Sequence, residues 1–506
     1  MTICDVTLDP HFTIAPVPAR MFGVLVEHMG RCVYGGIYEP GHPKADDAGL
    51  RQDVTELVRE LGVTLARYPG GNFVSSFEWE DSVGPVSQRP TRLELAWRQL
   101  EPNTFGLNEF MSWTRVADVE PMMVVNLGTR GVADACNLLE YTNFDSGTKY
   151  SDLRISHGVR QPYGVKLWGL GNEQDGPWQI AQKSAVEYGL AAAETAKAMR
   201  KIDPSIELVS CASAWRHLPT MGSWQATVLE HAYEYVDHVS LHAYFEPIEN
   251  DRTGYLASGL VLEQLIDAAV ATSDYVGAKQ RSKKKLNVSF DEWNLWYESR
   301  FVEKDLDWAI APRLLEDTYT VEDAVVLASL LMSLLRHSDR VSMACLSELV
   351  NVVAPIRAEP GSAAWRQTIF HPFALIARHA RGEVLRVEPR TETLDSSTYG
   401  GVPAADVLAT RDPEDGSICL FAVNRHSDEP MTLQVALAAL PPMRVVEHVE
   451  LGGGALGETN TESCPDRVVP QVSTAHQLAD RQLSAQLPPV SWTMIRLVPA
   501  ETGQLR

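Results

Sequence analysis

The chain has two textures. Up to about residue 382, short apolar runs recur at 21–26, 63–67, 121–127, 165–170, 206–211, 238–243, 286–290 and 341–346. Each has strand length, and several end in Gly, Pro or Asn. Between most of them the spacing turns helical. In 53–61, Val54, Leu57, Val58 and Leu61 share one face; 185–202 is rich in Ala, Glu and Lys; 260–270 and 321–336 follow. The last is apolar almost all round and is expected to be buried against a neighbour. Eight strands alternating with helices predict a (β/α)8 barrel with a long insertion between strands two and three.

After residue 382 the helical periodicity stops. Short alternating runs at 418–423, 431–435, 443–449 and 493–497, separated by Gly, Pro, Asp and Asn, predict an antiparallel β-sandwich. Residues 3–8 alternate too and read as one strand of a sheet formed elsewhere. Residues 452–480, opening GGGALGETNTES, read as a long exposed loop. Two domains are the expectation for 506 residues.

Composition narrows the function classes. Hydrophobic content is 45% and charged content 22%, as in ordinary globular proteins. The formal net charge of −22 argues against a nucleic-acid partner, which needs clustered Lys and Arg, and against an anionic membrane. A neutral sugar is compatible with it. Seven cysteines, an odd number without CxxC spacing, fit a reducing compartment and offer no zinc site. The opening MTICDVTLDPHF has no basic-then-apolar leader pattern, and the apolar run 324–335, broken by Ser329 and Ser333, is too short to span a bilayer. A cytoplasmic protein is expected. No phosphate-cradling loop is present, since GGG at 452–454 precedes no helix.

The chemistry sits at two strand ends. In KLWGLGNEQDGPWQ, Asn172-Glu173 follows the fourth apolar run; in SFDEWNLWY, Glu292 closes the seventh. One strand-end glutamate is ordinarily a solvated loop carboxylate. Two of them at the active face of one barrel form a pair: a protonated carboxyl to protonate a leaving oxygen, an ionised one to attack the carbon left behind. That is the retaining route of glycoside hydrolysis, with the carboxyls ~5–5.5 Å apart and no metal or other cofactor required.

These two stretches resemble the signature regions of the glycoside hydrolase family 51 α-L-arabinofuranosidases. So do FGVLVEHMGRCVYGGIYEPGHP, LARYPGGNFVSSFEWEDSVGP, APRLLEDTYTVEDA, LVNVVAPI and WRQTIFHPF, in the family's order, covering most of residues 1–380. The resemblance implies a barrel over 17–382 and a jelly-roll-like β-sandwich over 383–506 that recruits an N-terminal strand within 1–16. It implies a retaining exo-acting enzyme that releases terminal α-L-arabinofuranosyl residues from arabino- and arabinoxylo-oligosaccharides, and a homo-oligomer, with a hexamer frequent in the family. A β-xylosidase, an endoglucanase or a galactofuranosidase on the same site is the alternative within the class. A non-catalytic carbohydrate-binding protein is the alternative outside it.

Under that resemblance Glu173 is the general acid/base and Glu292 the nucleophile. Arg67, always cationic, helps keep Glu292 ionised, and Tyr244 donates its hydroxyl to it. His242 shuttles or modulates the proton of Glu173. Asn172 suits the sugar 2-hydroxyl. Glu27, Asn72 and Trp296 complete the family's set, with Trp97 and Trp178 as aromatic walls. Two departures stand out. Glu348 precedes LVNVVAPI where the family usually has Gln, which puts a carboxylate in place of an amide if it lines the sugar site. Pro102 stands where Thr is common.

Overall fold

A computed structural model describes residues 2–301 and 308–500. Eight parallel strands close into a barrel: β1 (Arg20–Leu25), β2 (Leu65–Tyr68), β3 (Glu120–Val125), β4 (Leu167–Leu170), β5 (Glu207–Cys211), β6 (His238–Phe245), β7 (Asn287–Leu295) and β8 (Val341–Leu346). The periodicity anticipates all eight, with ends displaced by a residue or two and by more at β7, which runs on through the catalytic segment. The barrel interior is plugged by Leu65, Met122, Leu167, Val209, Met343 and Cys345. At the N-terminal mouth, Arg20 of β1 holds Glu120 of β3 and Glu207 of β5 at 2.6–2.9 Å. The C-terminal mouth is left for chemistry.

The second layer is strand-rich. A four-stranded sheet joins Thr2–Thr7, Met431–Ala436, Gln482–Leu487 and His476–Ala479; Thr2–Thr7 pairs in parallel with Met431–Ala436. A seven-stranded sheet includes Ala405–Arg411, Ile418–Asn424, Ser491–Pro499 and Met443–Gly452. Its edge strand Thr13–Pro16, too short to show in the sequence pattern, pairs with Glu383–Leu385. The pleat of this sheet serves two cores. Ile418, Leu420 and Ala422 face the smaller sheet, whereas Cys419, Phe421 and Val423 join the core around the barrel. The helix Val321–Arg336 packs between barrel and sheet, which explains its apolar circumference.

Residues 452–480 are largely exposed, as expected, but they are not one irregular loop. They contain strands Gln471–Val472 and His476–Ala479, and Val321 N–H donates to the Glu458 carbonyl. Buried Asn460 exchanges two hydrogen bonds with the Val468 backbone (3.0 and 2.7 Å), so one polar side chain replaces a ladder and lets a Gly/Ser/Thr-rich segment pack. Among the described residues, no helix is long and apolar enough to cross a membrane.

Candidate active site

Glu173 stands just past β4. Gly171 (φ +83°) turns the chain out of the strand, and Glu173 itself lies at φ +45°, a conformation a side-chain-bearing residue adopts only when its surroundings hold it there. Gly176 N–H donates to the Glu173 carbonyl (2.8 Å), closing the turn. The carboxyl is gripped at both oxygens: Trp178 Nε1–H donates to Oε2 (2.6 Å), and His242 Nδ1 lies 2.8 Å from Oε1.

Glu292 comes from β7, where a bulge changes the register against β6. Ser240 opposes Ser289, but His242 opposes Glu292. The extra residue brings both Asp291 and Glu292 to the catalytic centre, against simple strand alternation. Glu292 Oε1 accepts from Arg67 Nη1 (2.8 Å), and Oε2 accepts from the Tyr244 hydroxyl (2.9 Å). Arg67, buried at the end of β2, also donates to Asn172 Oδ1 (2.6 Å) and sits 3.3 Å from Asp291 Oδ2. Asn172 Nδ2 in turn donates to Asn72 Oδ1 (3.2 Å). One guanidinium thus sets both Glu292 and the amide of Asn172, next to Glu173.

Glu27, past β1, lies beneath these groups. Its Oε1 accepts from Phe73 N–H (2.8 Å) and Trp97 Nε1–H (3.0 Å), while its own N–H donates to Glu348 Oε2 (3.0 Å). Trp296 meets the Tyr244 ring edge-on at 5.4 Å. All twelve residues singled out in the sequence therefore meet in one connected cluster at one barrel mouth. His28, next to Glu27, is spent elsewhere: its two nitrogens bond Glu101 (2.9 Å) and Tyr68 (2.8 Å).

The electrostatics are those of five buried acids, Glu27, Glu173, Asp291, Glu292 and Glu348, around two cations. Burial by itself would push the His242 pKa down; Glu292, Asp291 and Glu173 outweigh it and raise it to about 10. The imidazole is therefore a resident cation at neutral pH. Burial raises Glu292 to about 7, with Glu173 and Glu27 adding to the rise and His242 and Arg67 opposing it. Burial also raises Glu27 and lifts Glu348 well above the usual carboxylate range, the latter reinforced by the charges of Glu27 and Glu292. Glu173, His242 and Glu292 offer donor atoms within 4.8 Å of one another.

Sequence reasoning missed several supporting residues. Asp291 accepts from Ser240 Oγ (2.5 Å) and lies 3.4 Å from His242 Nε2, so it neutralises the far side of the imidazolium. Glu94 accepts from the backbone N–H groups of Ala96 and Trp97 (both 2.7 Å) and seats Trp97. Asp175 accepts from Ala214 N–H (3.0 Å), tying the Glu173 loop to the loop after β5. Asp291 stands next to Glu292 in the sequence, but strand alternation would send it to the opposite face.

The family profiles, the similar sequences and the solved structures above 25% identity agree on one family. The profile of the α-L-arabinofuranosidase 1 domain matches residues 57–253, and that of the α-L-arabinofuranosidase C-terminal domain matches 291–491. An intracellular exo-α-(1→5)-L-arabinofuranosidase of Streptomyces lividans is 54% identical, over 98% of this chain and 76% of its own length. An exo-α-(1→6)-L-arabinofuranosidase of Bifidobacterium longum is 46% identical, over 97% and 96%. The structure of a family 51 α-L-arabinofuranosidase from Bifidobacterium longum superposes with a TM-score of 0.94 at 42% identity, covering 98% of this chain and 99% of the other.

Proposed function

The chain belongs to the family 51 α-L-arabinofuranosidases, and from that premise we propose how its site works: Glu292 attacks, Glu173 gives and takes the proton, and the anomeric configuration is retained. The enzyme is an exo-acting glycoside hydrolase that removes terminal α-L-arabinofuranosyl residues. Its substrates are short arabino- and arabinoxylo-oligosaccharides. The observation that carries the retaining reading is the placement of carboxyl oxygens of Glu173 and Glu292 within 4.8 Å, with His242 between them. Inverting pairs stand ~6.5–9.5 Å apart to admit a water, whereas retaining pairs stand at ~5–5.5 Å.

In the first step the Glu292 carboxylate bonds to the anomeric carbon while Glu173 gives its proton to the departing oxygen. Arg67 and Tyr244 hold the attacking carboxylate, and the His242 cation offsets the negative charge of the pair. In the second step Glu173, now ionised, takes a proton from water, whose oxygen displaces Glu292. The cation's pKa of about 10 assigns His242 to holding charge rather than to shuttling the proton. The names of its relatives place those enzymes inside the cell, and we carry that placement over to this one; small imported oligosaccharides are the substrates such an enzyme meets.

The test is a panel of 4-nitrophenyl glycosides. Turnover of the α-L-arabinofuranoside is expected to exceed that of the β-xyloside and the galactofuranoside by at least ~100-fold in kcat/KM. Preference for either of the other two assigns the sugar wrongly. Hydrolysis of (1→5)- against (1→6)-linked arabinobiose then fixes the linkage, over which the named relatives differ.

A further inference from the structure

A terminal sugar held among Glu27, Glu173 and Glu292 passes the rest of its chain outward on the side of the proton donor. On that side the Glu173 loop is fastened to the loop after β5. Asp175 accepts from Ala214 N–H and from Ser213 Oγ (3.2 Å), which sets Trp215 edge-on to Trp178 with ring centroids 6.5 Å apart. Trp215 opens a cleft whose walls include Arg216, Tyr244, Glu246, Trp296 and Tyr399. Tyr244 and Trp296 are shared with the catalytic cluster.

Tyr399 is not a barrel residue. It sits at the tip of a hairpin, Thr393–Ser396 with Gly400–Pro403, from the strand-rich half of the chain. Asp251, after β6, pins that hairpin to the barrel: it accepts from Ser396 Oγ (2.7 Å), Ser397 Oγ (3.1 Å) and Thr398 N–H (2.8 Å). The second domain therefore forms part of the cleft wall.

The chemistry of the cleft fits a neutral glycan. Arg216 and Trp296 line it, and although Nη1 of the one and Nε1 of the other are buried, neither has an acceptor among the described residues; the half-buried guanidinium is the cation this wall offers to sugar hydroxyls. Arg216 lies over the Phe245 ring at 5.0 Å, so its plane is fixed. The carboxylates of Glu246 and Glu298 accept from hydroxyls and repel an acidic sugar. Aromatic faces with a few fixed polar groups are the usual make-up of such a pocket.

We propose that this cleft is a distal leaving-group subsite, taking the sugar beyond the one that receives the proton, with Tyr399 as its platform and Arg216 as its donor. The proposal rests on the arabinofuranosidase reading. It is tested by kcat/KM on 4-nitrophenyl α-L-arabinofuranoside and on arabinobiose, arabinotriose and arabinotetraose, for the wild type, Tyr399→Ala and Arg216→Ala. The wild type is expected to gain at least threefold from disaccharide to trisaccharide. Each variant is expected to lower the trisaccharide value about three- to tenfold more than the aryl glycoside value, the size of one aromatic or polar contact. The cleft assignment is overturned by wild-type values that are flat with chain length while the aryl glycoside is turned over, or by variants that lower all substrates equally. Inactivity of the wild type on every arabinofuranoside overturns the activity reading and the cleft together.

Discussion

His242 controls how the two glutamates share charge. It touches Glu173 at 2.8 Å and Glu292 at 3.4 Å, and Asp291 keeps it cationic from behind. The sign of its effect is fixed. Burial raises the Glu292 pKa, and the imidazolium lowers it. In His242→Gln that opposition is gone, the Glu292 pKa rises above about 7, and the nucleophile is lost at higher pH than before. The acid limb of kcat/KM on the aryl glycoside is expected to move up by about one pH unit or more. An unmoved limb, or one moved down, contradicts the role. Glu348 makes a second residue-scale case. Burial and the charges of Glu27 and Glu292 push its pKa well above the usual carboxylate range, and it ties the chain past β1 to the segment after β8 through the Glu27 N–H. Glu348→Gln is expected to shift KM or the pH dependence while keeping kcat within about tenfold. Wild-type kinetics at every pH removes this position from the sugar site.

At the scale of the element, two loops and one bulge do what periodicity does not reveal. A Cβ on Gly71 would come within 2.7 Å of Glu292 Oε1 and 3.1 Å of Glu27 Oε2, so the turn after β2 passes the carboxylates as closely as backbone can. Gly71→Ala is expected to lower kcat about 100-fold by displacing Glu292, with little change in melting temperature. Loss of folding without a specific loss of turnover points to a structural role only. The two glutamates could be read from the sequence because each follows an apolar run and breaks it, although Glu292 lies within β7 rather than at its end. Asp291 could not, because alternation sends it to the opposite side from Glu292 and only the bulge on β7 reverses that. The segment 452–480 is exposed over most of its length, as its small polar residues suggest; what the pattern does not show is its anchor, buried Asn460 hydrogen-bonded to the Val468 backbone, and the two short strands that follow.

At the scale of the whole molecule, barrel and sandwich are joined by charge as well as by apolar packing. Asp406 accepts from Arg336 Nη2 (2.6 Å), Ser329 Oγ (2.7 Å) and Arg425 Nη2 (3.1 Å). Arg336 and Ser329 belong to the helix Val321–Arg336, Asp406 and Arg425 to the sandwich side. Asp406→Asn leaves Arg425 buried without its counter-ion and is expected to cost about 3–5 kcal/mol, seen as a melting temperature lower by roughly 5 °C or more. An unchanged melting temperature shows that the junction is held by packing alone. Barrel and sandwich were both foreseeable from the change of period at about residue 382. How they meet was not, because neighbours on the strand Ile418–Asn424 face two different cores, which a one-dimensional pattern reports only as a continuous apolar run.

The stereochemistry of the first-formed sugar tests the two-glutamate mechanism most directly. Proton NMR during the opening seconds of hydrolysis, before mutarotation, resolves the anomer released. One carboxyl oxygen of each glutamate lies within 4.8 Å of the other, which matches the closer spacing of retaining pairs, so the product is expected to keep the α configuration of the substrate. A first-formed β anomer would contradict direct attack by Glu292 and demote it to a general base.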